Sequence, residues 1–446
     1  RTHKKPKERG YGRQPTARTM VGQIPVRSWL EATKHLGMAL GLTNTANAVE
    51  ALCLPTSSLT TVHVAGSNGK GTACAMLCTA LSNQGISNLL FSSPHLVRIE
   101  ERIRINGVPI QSDVMDRALE RVRLATLEHD ITVTFFEVTF LAALVVASEA
   151  EVEVLVLETG LGGRLDATRV SNADVCMLTS ISLEHTDILG THQTDIAREK
   201  AAIARAGRPL IVRTPEHKDV LETIIECARN AGMEHLEESI GPAELVLVDI
   251  PTGTSFRDES KLLVNAIWPY LDVVNAQLEP DTSNCVWPAR MQFIKSQQPS
   301  KPHVLLDGAH NPSGLKRAVQ ELCLRPEIQS GNWVLLFGTS PQVDLEDTLS
   351  YVLNLCTSNP PVEIILSEPQ GGRYPAVPVA ELKPWFSPLG THLSTHSNPR
   401  SAVEHAQDAY DQSTLLVSIG SLYMQGNVLT SLGIDSNDDL SFVAKN

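Results

Sequence analysis

No apolar run in this 446-residue chain is long enough to cross a membrane, and its first residues lack the apolar core of a secretory signal. The eight cysteines show neither a C-x-x-C pair nor metal-finger spacing, which leaves the reduced thiols of a cytoplasmic protein as the reading. Cys74 and Cys78 fall one helical turn apart and read as a buried apolar face. Positive charge is in short supply: 37 Lys and Arg against 50 Asp and Glu give a net charge of −13, which argues against a duplex nucleic-acid binder. The one basic run, Arg1 to Arg18, carries turn-forming Gly and Pro without apolar periodicity. It reads as a disordered leader over residues 1–20, with Met20 opening the orderly part and the residues before it extraneous. No internal repeat and no coiled-coil heptad is visible. The length allows two or three domains with real cores.

What is present is an alternation. Short β-branched runs at Thr61–Ala65, Asn88–Ser92, Val152–Glu158, Val175–Ser180 and Pro209–Arg213 are separated by helical stretches, and Phe135–Ala150 is a strongly apolar helix. Continuous apolar runs of this length predict strands buried on both faces of a mostly parallel sheet, joined by right-handed βαβ units. Residues 241–300, with Pro251, Pro269, Pro280 and Pro288, predict a small β-rich excursion and then a linker around Cys285–Pro302. A second α/β rhythm follows at His303–Leu306, Trp333–Gly338, Val362–Leu366 and Leu415–Ile419. The expected architecture is two α/β domains. A P-loop-type, mostly parallel sheet flanked by helices spans residues 21–287, and a smaller Rossmann-like α/β domain spans 288–446.

The most informative stretch is His63-Val64-Ala65-Gly66-Ser67-Asn68-Gly69-Lys70-Gly71-Thr72. An apolar strand runs into a glycine-rich turn, and a lysine and a hydroxyl residue follow where a helix begins. Small residues let backbone N–H groups close around phosphate oxygens, Lys70 adds a mobile positive charge, and the helix N-terminus adds its dipole. Gly71 separates Lys70 from Thr72, so the strict G-x-x-x-x-G-K-[ST] pattern is not met. Taken alone, the stretch also fits a glycine-rich turn without a ligand.

In open parallel sheets, ligands sit beyond the carboxyl ends of the strands. The polar residues at those ends are Ser92–Ser93, Glu158, Ser182 to Asp187 and, in the second domain, Asp307 to Asn311. A hydroxyl, a carboxylate and a histidine beside a phosphate loop are a donor set that holds Mg²⁺ together with water and phosphate oxygens. Ser93 before Pro94 equally fits the start of a turn, and His185 a solvated loop. Lys200 reads by spacing alone as an ordinary exposed helix lysine. Glu158 is harder to set aside, because an unpaired buried carboxylate is costly.

The stretch Gly66–Thr72 resembles the signature loop of the Mur ligase family of ATP-dependent amide-forming ligases. Ser93-Pro94-His95-Leu96 with Glu101-Arg102-Ile103, Phe135-Phe136-Glu137, Glu158 to Thr168 and Glu184-His185-Thr186-Asp187 resemble its folate branch. That branch comprises dihydrofolate synthase and folylpolyglutamate synthase, often as one bifunctional enzyme. Arg198-Glu199-Lys200-Ala201, Trp287-Pro288-Ala289-Arg290, Asp307 to Pro312 and Gly420-Ser421-Leu422 continue the match in order, over roughly residues 22 to 430.

The resemblance implies a ligase in which ATP phosphorylates a substrate carboxylate. The α-amino group of L-glutamate then attacks the acyl phosphate, leaving an amide, so the protein's work is positioning and neutralising charge. It implies that Ser67, Asn68, Gly69 and Lys70 cradle the ATP phosphates with Gly71 and Thr72 behind them. Ser93 and Glu158 are implied ligands of one Mg²⁺ and His185 of a second. Lys200 matches a lysine carried as a carbamate, whose oxygens bind the second ion; its amine must then be held neutral by burial and nearby cations. Arg290, Asp307 and Asn265 match further ATP contacts, so ATP is expected between the domains. His310 and Ser421 are implied aids to the incoming glutamate, and Lys70, Lys200 and His310 carry the catalytic roles.

Thr134, Phe136 and Glu137, with Leu165, Asp166 and Ala167, match a dihydropteroate pocket. An aromatic face there stacks on a pterin and a carboxylate accepts from its N–H groups. Of Phe135 and Phe136, one is expected to be core packing alone. The implied partners are ATP, L-glutamate and dihydropteroate or folate, with neither nucleic acid nor membrane, for a cytoplasmic monomer.

Four positions depart from the branch. Ala39 stands where bacterial relatives often carry an aspartate, Arg169 replaces an asparagine, Ala289 a glycine and Val343 a lysine. They bear on substrate preference and leave the ATP and metal apparatus in place. Two rival readings remain at this point. One is a Mur-type ligase joining a different amino acid to a different carboxylate, against which Phe136 and Asp166 argue. The other is a nucleotide-binding relative without catalysis, against which Lys70, Glu158, His185 and Lys200 argue.

Overall fold

A computed structural model describes residues 24–37, 41–54, 59–231, 241–343, 345–372 and 375–443; the basic leader and Ala39 lie outside them. The first sheet contains β1 (Thr60–Ala65), β2 (Asn88–Phe91), β3 (Ile103–Ile105), β4 (Val108–Pro109), β5 (Val154–Glu158), β6 (Val175–Leu178), β7 (Pro209–Arg213) and β8 (Glu244–Val248). Their order is β4-β3-β2-β5-β1-β6-β7-β8, with β3 and β4 antiparallel at one edge and the remaining strands parallel. The chain leaves β1 for β2, returns to β5 between them, and then crosses to β6 on the other side of β1. The end of β1 is therefore the switch point at which an open sheet offers a crevice.

The unbroken apolar runs resolve into two faces. Leu89, Phe91, Leu155, Leu157, Leu178 and Leu210 meet one helical layer, while Val62, Val64, Leu90, Val154, Val156 and Met177 meet the other. Burial on both sides explains why these strands show no polar alternation. Helix Phe135–Glu149, apolar all round, lies deep in one layer and is started by a capping box between Thr134 and Glu137.

The second sheet contains β9 (Gln292–Ile294), β10 (His303–Leu306), β11 (Trp333–Phe337), β12 (Glu363–Ser367), β13 (His392–His396) and β14 (Leu415–Ile419) in the order β13-β12-β11-β14-β10-β9. Only β9 runs antiparallel to its neighbour. The β-rich excursion expected over 241–300 is replaced by β8, which extends the first sheet, a helix over Phe256–Ile267, and β9, which joins the second. Ser255 caps that helix by accepting from the Asp258 amide, and apolar residues at Leu263, Val264 and Ile267 give it a buried side.

The end of the second unit returns to the first. Phe442 is buried with Trp268, Leu271 and Trp287, and its amide donates to the Gly107 carbonyl at 3.2 Å. Among the described residues no helix is long and apolar enough to cross a membrane.

Candidate active site

The loop after β1 begins at a residue that must be glycine. Gly66 has φ +147°, and a Cβ there would lie 1.8 Å from Thr179 Oγ1 at the end of β6. Ser67 then exchanges hydrogen bonds with the 180–182 segment: its amide donates to the Ser180 carbonyl at 2.7 Å and its hydroxyl to the Ser182 carbonyl at 3.0 Å. Gly69, at φ +88°, turns the chain into helix Lys70–Asn83. Lys70 folds back so that Nζ donates to the Gly66 carbonyl at 2.8 Å. Gly71, the residue that breaks the common pattern, has a packing reason. A Cβ there would meet the Trp287 indole at 3.0 Å from Nε1, so the linker tryptophan lies directly on the loop. Thr72 follows, partly exposed, on the first helical turn.

Glu158 ends β5 opposite Val64 and is buried; its Oε2 accepts the Ser93 amide at 3.2 Å. Burial pushes its carboxyl above the usual carboxylate range, against the opposing pull of Lys70, the Ser93 amide, Arg290 and Arg102. A buried carboxylate whose ionised form burial disfavours, next to Ser93, suits a hard divalent cation. Glu158 and Ser93 would hold it, and such an ion polarises phosphate oxygens and neutralises their charge. Among the described residues no three His, Cys, Asp or Glu side chains gather into a ready-made cage, and a cation held by Glu158 and Ser93 would take its remaining oxygens from a ligand and water. His185 stays exposed, with φ 45°, at the start of the short helix Thr186–Leu189.

Lys200 is not the exposed helix lysine that its spacing suggested. It is 1% exposed, with Nζ 2.6 Å from Glu184 Oε1 and 2.9 Å from the Gly66 carbonyl. One loop carbonyl thus accepts from both Lys70 and Lys200. Burial pulls the Lys200 ammonium below its ordinary range, while Glu184 resists that shift. Glu184, a partner that residue spacing could not single out, fixes this lysine beneath the loop.

On the acceptor side, Thr134 and Glu137 are occupied with each other. Glu137 Oε2 accepts from the Thr134 amide and hydroxyl, both at 2.7 Å, and Oε1 accepts from Thr45 at 2.6 Å. Asp166 is likewise engaged: Oδ2 accepts the Gly160 and Leu161 amides at 2.9 Å, and Oδ1 accepts the amide and hydroxyl of Thr168. These bonds fill the lone pairs of the Asp166 carboxylate. Both acids therefore shape loops, leaving the Phe136 ring, Leu165 and Ala167 as the surface they hold up. Phe136 rests against Phe91 at 5.6 Å, whereas Phe135 lies under Lys34 and Arg102. Buried His63 extends the Asp166 network. Its Nε2 lies 2.8 Å from Thr168 Oγ1, and burial holds it far below the usual imidazole range, hence neutral.

The second unit closes the crevice. Asn311 donates to Asn68 Oδ1 at 3.3 Å while its own Oδ1 caps helix Pro312–Leu322 through the Gly314 amide, and Asn68 donates to Ser313 at 2.9 Å. Asp307, at the end of β10, accepts the Met291 and Ala309 amides at 2.9 and 2.8 Å. Arg290 lies across Gly308, where a Cβ would be 2.2 Å from its Nη1. His310 donates from Nδ1 to the Gly308 carbonyl at 2.9 Å, which leaves Nε2 as the proton-accepting nitrogen of the neutral ring. Ser421 is buried at the start of helix Leu422–Ser431.

Among the described residues Asn265 makes no hydrogen bond to the loop or to Asp307. It is exposed on the helix face opposite Leu263, Val264 and Ile267, and opens on a cavity of about 480 Å³ with Asp258 and Lys261. The helix instead turns Glu259 inward, which pairs with Arg213 at 3.1 Å and Arg317 at 3.0 Å and so links the two units.

No protein-family model matches the chain. It is 30% identical over 353 residues to the dihydrofolate synthase/folylpolyglutamate synthase of Escherichia coli strain K12, covering 75% of this chain and 81% of that protein. The chain belongs to the dihydrofolate synthase/folylpolyglutamate synthase family. It is therefore an ATP-dependent acid–amino-acid ligase of folate metabolism. The fold agrees: E. coli FolC in complex with DHPP and ADP superposes with a TM-score of 0.77 at 26% identity, over 92% of this chain and 98% of that one. A bifunctional folylpolyglutamate synthase/dihydrofolate synthase with Mn, AMPPNP and L-glutamate bound gives 0.76 at 26% identity, over 92% and 99%.

Within this family, the departures have local structural settings. Arg169 donates from Nε to the Ala202 carbonyl at 2.9 Å, bracing the end of the helix that carries Lys200. Ala289, where the resemblance implies a glycine, sits at φ +54°, a left-handed conformation that strains a residue with a Cβ by about 1 kcal/mol. Val343 is 88% exposed.

Proposed function

We propose that this ligase joins L-glutamate to the carboxylate of dihydropteroate, and to reduced folates as well. The observation that carries this reading is convergence. The ends of β1, β2 and β5 bring Gly66–Thr72, Ser93 and Glu158 to the edge where Asn311 of the second unit bonds to Asn68. The ligand classes are carried over from the relatives solved with DHPP and ADP, and with Mn, AMPPNP and L-glutamate.

In the proposed reaction the Ser67–Lys70 backbone and the Lys70 ammonium hold the ATP phosphates, with Gly71 and Thr72 behind and Arg290 and Asp307 approaching from the second unit. An acceptor carboxylate oxygen attacks the γ-phosphorus, ADP leaves, and an acyl phosphate forms. The glutamate amine then attacks the acyl carbon, phosphate departs, and His310 Nε2 takes the amine proton. Ser421 meets the glutamate beside it. Phe136, with Leu165 and Ala167, supplies the face for a pterin, and Thr134, Glu137 and Asp166 hold that face in place. Two Mg²⁺ ions belong to the reading, one on Ser93 and Glu158 and one near His185. Lys200 carries a carbamate in the working enzyme; its burial, which disfavours the ammonium, supports this. A cytoplasmic monomer acting on small molecules, without nucleic acid or membrane, completes it, in keeping with the net charge of −13.

The test is a mass-spectrometric product assay with ATP, L-glutamate and either dihydropteroate or tetrahydrofolate. Glutamylated product is expected with the unsubstituted protein and none with Lys70→Ala, whose circular dichroism should be unchanged. Turnover with a different acceptor and none with dihydropteroate would overturn the substrate; full activity of Lys70→Ala would overturn the phosphate loop.

A further inference from the structure

The Ser93–Arg98 segment, which carries Ser93, is held from both units. Glu101 is 1% exposed and its carboxylate gathers three successive amides, those of Leu96 at 3.3 Å and of Val97 and Arg98 at 2.7 Å. From the second unit, Gly426 presses on the same turn. A Cβ there would lie 2.0 Å from the Leu96 carbonyl oxygen, which accounts for a glycine inside helix Leu422–Ser431, where it costs helix stability.

Glu101 is in turn paired with Arg104, 3% exposed, at 3.3 Å. Arg104 also donates to the hydroxyl of Ser92 at 3.4 Å, and its guanidinium lies 4.8 Å from the centre of the Trp287 ring. That ring is the one that rests on Gly71. A continuous series of contacts therefore runs from the Leu96–Arg98 amides through Glu101, Arg104 and Trp287 to the phosphate loop. Burying such an ion pair gives little net stability over an apolar pair of the same volume, whereas its directional bonds fix a single arrangement. Arg104 also donates to the Glu101 and Leu440 carbonyls, and its Nε–H is buried without an acceptor among the described residues.

We propose that Arg104 and Trp287 are positioning residues which transmit occupancy of the phosphate loop to the Leu96–Arg98 turn. A nucleotide at Gly66–Thr72 presses the helix start against the indole, and the indole seats Arg104, which holds Glu101 and hence the turn beside Ser93. The inference rests on the reading of Gly66–Thr72 as the nucleotide loop and does not depend on which acceptor the enzyme uses.

The test is hydrogen exchange on the full chain with and without Mg²⁺ and ADP. In the unsubstituted protein, ADP should slow exchange at residues 67–72 and, by about fivefold or more, at the Leu96, Val97 and Arg98 amides. Arg104→Met and Trp287→Leu should each abolish the slowing at 96–98 while keeping it at 67–72, with β1 and β6 amides of the first sheet reporting an intact fold. If Arg104→Met fails to fold, Trp287→Leu carries the test alone. Nucleotide-dependent slowing at 96–98 that persists in the folded variants would overturn the coupling, as would its absence from the unsubstituted protein. Absence of slowing at 67–72 would overturn the nucleotide-loop reading itself, a result recognisable because it appears before any substitution is made.

Discussion

In the metal-free protein without the carbamate, where Lys200 is a free ammonium, Lys200→Met should destabilise the first unit by a predictable amount. The substitution keeps most of the side-chain volume and removes the charge, leaving Glu184, 10% exposed, facing the Gly66 carbonyl without its cation. Breaking a buried pair from one side costs about 3–5 kcal/mol. In a unit of this size, each kcal/mol shifts the melting temperature by about 2–4 °C, so a fall of about 10 °C is expected at pH 7. Because the pair is buried, adding salt should barely change that figure.

The loss should also depend on pH in a stated direction. Burial pushes the Glu184 carboxyl up, but Lys200 and Lys70 outweigh it and hold it below the usual carboxylate range. The stabilisation is therefore present above that range and disappears as pH falls through the depressed native value. In Lys200→Met burial acts on Glu184 without its main opponent, so Glu184 protonates early and the gap between variant and parent narrows from pH 7 towards about pH 4. Glu184→Gln added to Lys200→Met should recover most of the lost stability. The measurement is thermal unfolding followed by hydrogen exchange at the β1 and β6 amides, which reports the first unit alone. A fall of less than about 2 °C, against the 2–4 °C that a single kcal/mol brings, would refute the reasoning, as would a double variant no better than Lys200→Met.

Two further substitutions probe the crevice. Gly66→Ala combines a positive φ with a Cβ 1.8 Å from Thr179 Oγ1, and should cost about 3 kcal/mol and weaken ADP binding by calorimetry; binding within twofold of the parent would show that the loop tolerates the shift. Glu158→Gln should raise the Mn²⁺ concentration needed for activity by about tenfold or more. It should also stabilise the metal-free protein at pH 7 by about 1 kcal/mol, since burial raises this carboxyl and the native state thereby loses stability as pH rises through that raised value. Unchanged metal dependence would remove Glu158 from the ion's shell.

Most of the framework was legible in the sequence for a definite physical reason. Strands buried on both faces, such as β1, β5 and β7, are continuous apolar runs, and their limits were read to within a residue or two. The edge strand β13 was not read, because His392-Leu393-Ser394-Thr395-His396 is half exposed and carries almost no apolar signal. The same distinction holds in the site. Lys70 and Glu158 announce themselves by position after a strand, while the burial of Lys200 depends on the Gly66 carbonyl and Glu184 arriving from other elements. Glu259 gives no signal in the sequence, because only the packing of its helix turns it inward against Arg213 and Arg317. The reason for Gly71 lies more than two hundred residues away, in Trp287.

The return of residues 437–443 to the first unit makes that unit discontinuous along the chain. Two covalent passages, one through Trp287–Met291 and one near Asn437, join the units on the side where Phe442 packs beneath the indole. A joint with one passage can swivel in any direction, whereas a joint with two rotates chiefly about the line between them, like a door on a pair of pins. Two passages therefore restrict how the units can turn against each other more than one would. A fragment cut at residue 287 would lose the second pin along with the aromatic plug that fills the first unit's core.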